Sequence, residues 1–334
     1  MSLAPYVRIL GRGPGRARPL DRAEAAEAMR IIMAGQADPE SLGALLMLMR
    51  YRGESAGEIA GFVEAIGETS AGQGWRGIGA ALDWPSFAAG RTRGAPLFVL
   101  SALLVAQAGY RVHLHGYNSH QGTNASVRDA LGPLGIKICE TPEAATSALV
   151  ADNIAYTPLE ALSPDVFNLL KLRSKFNLRS CINTVARMLN PSAAPAAVQG
   201  VFHPSYRDLQ SDAALLLGRE TLSVIKGGGG EFERHPSKSV LAYGLRGGVK
   251  SEVSAPPLLD ETRRLHEADG AGITCAALWN GTAEDDFATA TVIGTAGLAL
   301  YTLGAVPDVA AGDKMAADLW ATRSKTPVSA GEDA

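Results

Sequence analysis

The sequence predicts an α/β protein in which a small, all-helical N-terminal unit precedes a larger layered domain built on a mainly parallel sheet. Helical start and stop signals with short connections fill the chain up to Ile66. After Gly77, short apolar runs alternate with helical segments, as in strands joined by crossover helices. The chain has 334 residues, 46% hydrophobic and 19% charged, enough for two domains sharing a sizeable core.

The first 20 residues are rich in Gly, Pro and Arg up to Arg18 and are expected to be a mobile basic arm. Asp21 is a suitable N-cap for a helix running to Met33, with Gly35 as its stop. Pro39 and Glu40 open the next helix, Ser41 to Arg52, closed by Gly53, and Ser55 starts a third over Ala56 to Ile66. Leu42, Leu45, Leu46 and Met49 form the buried stripe of the second helix. Strands are expected at Ala80 to Leu82, Val112 to His115, Ile136 to Cys139, Val198 to Phe202, Leu222 to Ile225 and Val240 to Tyr243. Helices are expected at Pro96 to Ala108, Ala125 to Leu131 and Ala288 to Leu303. Pro164 to Leu189 is a long, mostly helical insertion, and Ser192 to Ala197 a connector. The expected division is therefore an arm (1–20), a helical domain (21–76, with inserted helices at about 164–190), an α/β domain (77–163 and 191–325) and a mobile tail (326–334).

Cys139, Cys181 and Cys275 are far apart, odd in number and lack metal-ligand spacing, which suits small core residues in a reducing, cytoplasmic setting. No run of about 18 uninterrupted apolar residues and no apolar block with a cleavage site appears, so neither a membrane partner nor a secretory signal is expected. The net charge of -3 conceals an asymmetry. Val166 to Lys250 holds twelve Lys and Arg against five Asp and Glu, while Ser251 to Ala334 holds five against thirteen. A long-range field depends on where charge sits, so the middle segment can present a positive face to a polyanion, unless the acidic C-terminal third neutralises it in space.

Three separated motifs carry a resemblance. The first is Ile32 to Gly35 with Gly43 to Ser55 and Glu58 to Gly61. The second is His115-Gly116 at a strand end. The third is Arg173, Arg179-Ser180, Asn183, Asn190-Pro191 and Gln199 to Val201. In this order they resemble the anthranilate phosphoribosyltransferases and their nucleoside phosphorylase relatives, the glycosyl transferase family 3, of which this chain looks like a diverged branch. The resemblance implies a helical domain hinged to an α/β domain with a central mixed sheet, a ligand in the cleft between them, and a homodimer through the helical domain. It also implies ligand-binding roles for His115, Gly116 and Ser119, and a role for Arg173 in holding a substrate carboxylate.

The departures are specific. Such a transferase must hold a diphosphate and stabilise it as it leaves. The family does so with a Gly-Thr-Gly-Gly-Asp-Gly loop whose bare backbone approaches phosphate closely. Here the matching stretch, Asp83 to Gly94, contains Trp84, Pro85 and Phe87, and offers Arg91 and Arg93 ahead of a helix as a differently shaped anion site. No cofactor is required by the sequence itself. Magnesium is the one the resemblance implies, and of the family's Asp-Glu pair only Glu233 aligns; Glu231 is a shifted substitute and Phe232 stands where the Asp should be. Lys226 and the glycines Gly227 to Gly230 read as a flexible or phosphate-cradling loop. Two roles remain open. One is a phosphate-binding glycosyl or phosphoribosyl transferase, taking a phosphorylated sugar with Arg91, Arg93, Arg173 and Lys226, that does not make phosphoribosyl anthranilate. The other is a non-catalytic homodimer that binds nucleic acid without sequence preference, with Lys171, Lys175, Arg179, Arg234 and Lys238 as contacts. A scaffold without a small-molecule role is a third reading.

Overall fold

The computed structural model describes residues 2–13, 15–87, 94–117, 125–261 and 273–325, and it contains both expected units. The helical unit consists of α1 (Ala4–Gly11), α2 (Arg22–Met33), α3 (Pro39–Arg52), α4 (Ala56–Gly67) and α5 (Ser70–Gly74). The Asp21 side chain accepts from Glu24 N while Glu24 returns the bond to Asp21 N, and Ser55 and Glu58 repeat this box. Glu58 is only 1% exposed, and its two oxygens accept from Leu20 N and Ser55 N, so its burial is satisfied. The stripe is where the sequence places it: Leu45, Leu46 and Met49 are fully buried and Leu42 partly so.

The arm expectation fails for residues 4–11. They form α1, which packs on α3 with Leu3 and Leu10 buried, because the apolar residues of Leu3 to Leu10 give a helix with one face to bury. The expected mobile tail, 326–334, lies outside the described residues.

The larger domain continues with β1 (Leu82–Ser86), α6 (Phe98–Gln107), β2 (Val112–Gly116), α7 (Val127–Leu131), α8 (Pro142–Asp152) and β3 (Ile154–Pro158). Then come α9 (Leu159–Leu162), α10 (Pro164–Lys171), α11 (Arg173–Phe176), α12 (Ile182–Arg187), β4 (Ala196–Val201), α13 (Tyr206–Leu216) and β5 (Thr221–Lys226). The chain closes with β6 (Val240–Arg246), β7 (Val249–Ala255), α14 (Cys275–Asn280), α15 (Asp286–Leu303) and α16 (Val309–Thr322). The sheet order is β3-β2-β1-β4-β5-β6-β7, parallel through β5 and antiparallel at the last two strands, so it is mixed and mainly parallel. Two expectations shift, and two strands were not anticipated. Ile136 to Cys139 contributes only a bridge from Ile138 to Tyr156, and the edge strand is instead β3. β7 alternates too weakly in polarity to have been read as a strand. Ala196 and Ala197 belong to β4, not to a connector.

Alternation along the strands divides the core. Leu82, Trp84, Val112 and Leu114 face α6, α15 and α16, while Asp83, His113, His115 and Gln199 lie on the opposite face, all of them unexposed. The helix α15 is long and apolar enough to cross a membrane by length and composition. It packs against α6, α16 and the sheet, with 67% of its residues buried, as a core helix does. Cys139, Cys181 and Cys275 are free and buried, as expected.

Candidate functional site

The stretch Asp83 to Ser86 is not a loop but the strand β1. Pro85 is tolerated there because β1 pairs with β4 only at Leu82 and Asp83 and then diverges, leaving no partner carbonyl for the missing N–H. Trp84 turns into the core, 5.5 Å from Phe232 edge-to-face and 6.4 Å from Phe98. Arg91, Arg93 and Ser119 lie outside the described residues. The C-terminal ends of β1, β2, β4 and β5, the edge where open parallel sheets bind ligands, are the candidate crevice, and the described groups around it are the ones that follow.

At its floor, His115 Nε2 lies 3.0 Å from Asp83 Oδ1, with both side chains unexposed. Buried in this way, His115 positions β2 and offers no atom to solvent. Gly116 follows because β2 passes so near β1 that a Cβ would meet Ser86 O at 2.0 Å. His113 stacks on Trp75 and bonds Thr157 Oγ1 at 2.9 Å; burial, helped by the neighbouring His115, pushes its pKa well below the ordinary value.

Gly227 N, Gly228 N and Gly230 N already donate to Val201 O, Glu233 O and Gly227 O. A Cβ on Gly227 would lie 1.8 Å from Glu231 O, so the glycines serve close packing of the chain on itself. Beyond them, Glu231 and Glu233 are each 1% exposed. Ser86 Oγ donates to Glu231 Oε1 at 3.1 Å, and Phe98 N donates to Glu233 Oε2 at 3.1 Å, at the first turn of α6. Phe232, between them, is fully buried. These carboxylates are committed to protein donors, and among the described residues no group of three or more His, Cys, Asp or Glu could hold a metal ion. The residues present do not fit the magnesium that the resemblance implies.

Cations do converge on one side of the crevice. Burial lowers the pKa of Arg179, and the charges of Arg173, Arg187 and Arg50 lower it further, so three other guanidinium groups lie within electrostatic reach of Arg179, while Arg187 also feels the carboxylate of Glu231. These arginines come from the end of α3, the start of α11, the link before α12, and the end of α12. Phe176 of α11 packs over Gly43 of α3, which brings the insertion against the helical unit. Arg187 is 8% exposed and donates to Phe87 O at 2.8 Å, fixing the end of β1. Glu54 of the helical unit accepts from Tyr206 Oη at 3.0 Å. Among the described residues Arg50 and Arg173 make no ion pair.

The remaining candidates divide. Lys171 and Lys175 are exposed on the same insertion, Lys171 lying 5.0 Å above the Phe167 ring. Lys226 and Lys238 are exposed at the ends of β5 and the turn before β6. Arg234 must be withdrawn as a nucleic-acid contact: it is unexposed, pairs with Asp313 at 2.6 Å, and bonds the carbonyls of Gly294 and Pro256. Among the described residues Arg234 is the only one of the middle segment's cations paired with the acidic C-terminal third. Sequence reasoning missed Arg50 and Arg187, which sit in helices as ordinary basic residues; only their spacing to Arg173 in space marks them. It also missed Phe202, 48% exposed at the end of β4 beside Gly230.

A family model described as the helical bundle domain of a glycosyl transferase family matches residues 4–70, and one for that family's a/b domain matches residues 97–322. An anthranilate phosphoribosyltransferase from Geobacillus stearothermophilus is 29% identical over 311 residues, 90% of this chain and 89% of that protein. One from Moorella thermoacetica is 31% identical over 210 residues, 60% of this chain and 58% of that protein. Among solved structures, anthranilate phosphoribosyltransferase from Thermus thermophilus superposes with a TM-score of 0.78 at 23% identity, covering 96% of this chain and 95% of that one. The enzyme from Saccharomyces cerevisiae in complex with PRPP and Mg superposes with a TM-score of 0.74 at 14% identity, covering 96% and 93%.

Proposed function

This chain belongs to the glycosyl transferase family that includes the anthranilate phosphoribosyltransferases, and from that premise we propose that it binds a phosphorylated ligand in the cleft between its helical unit and its α/β domain without making phosphoribosyl anthranilate. The observation that carries this reading is the gathering of Arg50, Arg173, Arg179 and Arg187. Like charges held together cost free energy in the empty protein and release it when an anion arrives, and guanidinium groups match phosphate oxygens two at a time. Among the described residues, groups that could hold a departing diphosphate are already engaged within the chain. Glu233 occupies the start of α6, most N–H groups of the glycine run are taken, and the acid pair is sealed around Phe232.

A second reading, sequence-independent binding of nucleic acid, is favoured by what lies outside the cluster. Lys171 and Lys175 extend the positive face beyond what one phosphate group needs, and Phe202 and Tyr51, 48% and 91% exposed, offer rings on which bases stack. A homodimer through the helical unit and a cytoplasmic setting, consistent with three free buried cysteines, belong to either reading.

Calorimetry with phosphoribosyl pyrophosphate, with and without magnesium, is expected to show saturable binding that does not require the metal. Arg173→Ala should weaken it by about tenfold. Absence of binding, together with steep loss of affinity for random single-stranded DNA as salt rises, moves the assignment to the second reading. Absence of both removes the cluster's proposed role.

A further inference from the structure

The two edges of the sheet are treated differently. Along β3 the outer side is bridged by the segment ahead of α8: Cys139 N donates to Tyr156 O at 2.8 Å, and Tyr156 N donates to Lys137 O at 3.1 Å. At the other edge, β7 pairs with β6 on one side and, among the described residues, with no strand on the other. An open edge is a template for a further strand, because its outward N–H and C=O groups have only water as partner.

Which groups point outward follows from the hairpin. Gly247 and Gly248, at φ 54° and 74°, form the two-residue turn between β6 and β7. The pair that closes such a turn, Arg246 and Val249, exchanges both backbone hydrogen bonds, and the pattern then alternates along the ladder. Val249, Ser251 and Val253 therefore direct their backbone groups at β6, while Lys250, Glu252 and Ser254 direct theirs away from the sheet. The side chains alternate as well. Lys250 and Glu252 share the face toward α13, where Lys250 pairs with Asp212 and Glu252 raises the pKa of Tyr243. On the other face Val253 packs against the core, but Val249 is 67% exposed.

A second β7 running antiparallel can pair only in registers that set outward residues opposite one another. Of the central registers, opposing Lys250 to Lys250, or Glu252 to Glu252, brings like charges together. The register between those two sets each Lys250 against Glu252 of the second copy. It forms about four backbone hydrogen bonds and lays the exposed Val249 beside Val253 of the second copy. The geometry points to β7 as a contact between two copies of this chain, joining their sheets across a two-fold axis at Ser251. This contact uses neither the helical unit nor the crevice.

Lys250→Glu and Glu252→Lys, made singly in the full chain, test it by sedimentation equilibrium at low ionic strength. Each sets like charges against one another at both symmetric positions, so each should weaken self-association by about tenfold. Mixing the two variants in equal amounts should restore it, because every contact between unlike chains then opposes opposite charges. That recovery also shows that both exposed substitutions leave the fold intact. A dimer through the helical unit is a separate step that neither substitution touches. If neither substitution alters the association of the natural chain, or if the mixture fails to recover it, the proposal is overturned.

Discussion

The carboxylate of Glu233 accepts a hydrogen bond from the backbone N–H of Phe98 at 3.1 Å, so the protein's own acid sits at the positive end of α6. A helix N-terminus attracts anions through its unpaired N–H groups and its dipole. In this chain that capacity is already used internally, so under the proposed function the arginine cluster is what attracts an external phosphate among the described residues. Glu233→Gln keeps the shape and removes the charge. It is expected to lower stability by about 1–2 kcal/mol in urea unfolding; an unchanged midpoint would show that the contact contributes nothing.

The position of Phe232 gives a sharper test. Phe232→Asp restores the acid expected of the family's metal pair, but it places a carboxylate in the buried core against Trp84. The expected result is destabilisation by about 3 kcal/mol or more and no gain of magnesium binding by calorimetry. Tight magnesium binding by a well-folded variant would contradict the reading of this segment as core.

Crowding among guanidinium groups predicts a trade between stability and binding. Arg173→Gln relieves repulsion on Arg179, which is only partly buried, so the gain in ligand-free stability should be small, about 0.3 kcal/mol after solvent screening. Phosphate affinity should fall by about tenfold. A variant that loses stability as well as affinity would mean that Arg173 is chiefly structural.

His113 predicts a pH dependence. Neutral in the fold because burial holds its pKa well below the ordinary value, it takes up a proton in the unfolded chain below about pH 6.5. The unfolded state then binds more protons, so this residue's contribution to stability is complete above pH 6.5 and declines as pH falls, by at most about 1.4 kcal/mol per pH unit. His113 faces Trp75, Thr157 and His115. In urea titrations between pH 6.5 and 5, His113→Asn should show a shallower loss than the natural chain; parallel curves would rule the residue out.

Arg234 and Asp313 form a buried pair, and breaking one side leaves an uncompensated charge. Arg234→Leu is expected to cost about 3–5 kcal/mol, and adding Asp313→Leu should recover part of it, as a double-mutant cycle measures. Full additivity of the two substitutions would indicate no coupling.

Much of the architecture was legible in the residues themselves. The caps at Asp21 and Ser55, the stripe through Leu45 and Met49, and the apolar runs of β2 and β5 are local signals, written within a few residues of where they act. β3 and β7 were missed because their pairing, not their own pattern, makes them strands, and α1 was missed because Gly, Pro and Arg around it masked a short amphipathic turn. The site divides in the same way. Sequence alone established the family resemblance, the missing metal Asp and the excess of cations between Val166 and Lys250. Only the tertiary structure decided that Arg234 is sealed in the core, that Glu233 caps α6, and that Arg50, Arg173 and Arg187 act on Arg179. Charge can be counted along a chain, but its consequences depend on distance and burial, and residues 50 and 187 both come within electrostatic reach of Arg179 only when elements distant in sequence pack together.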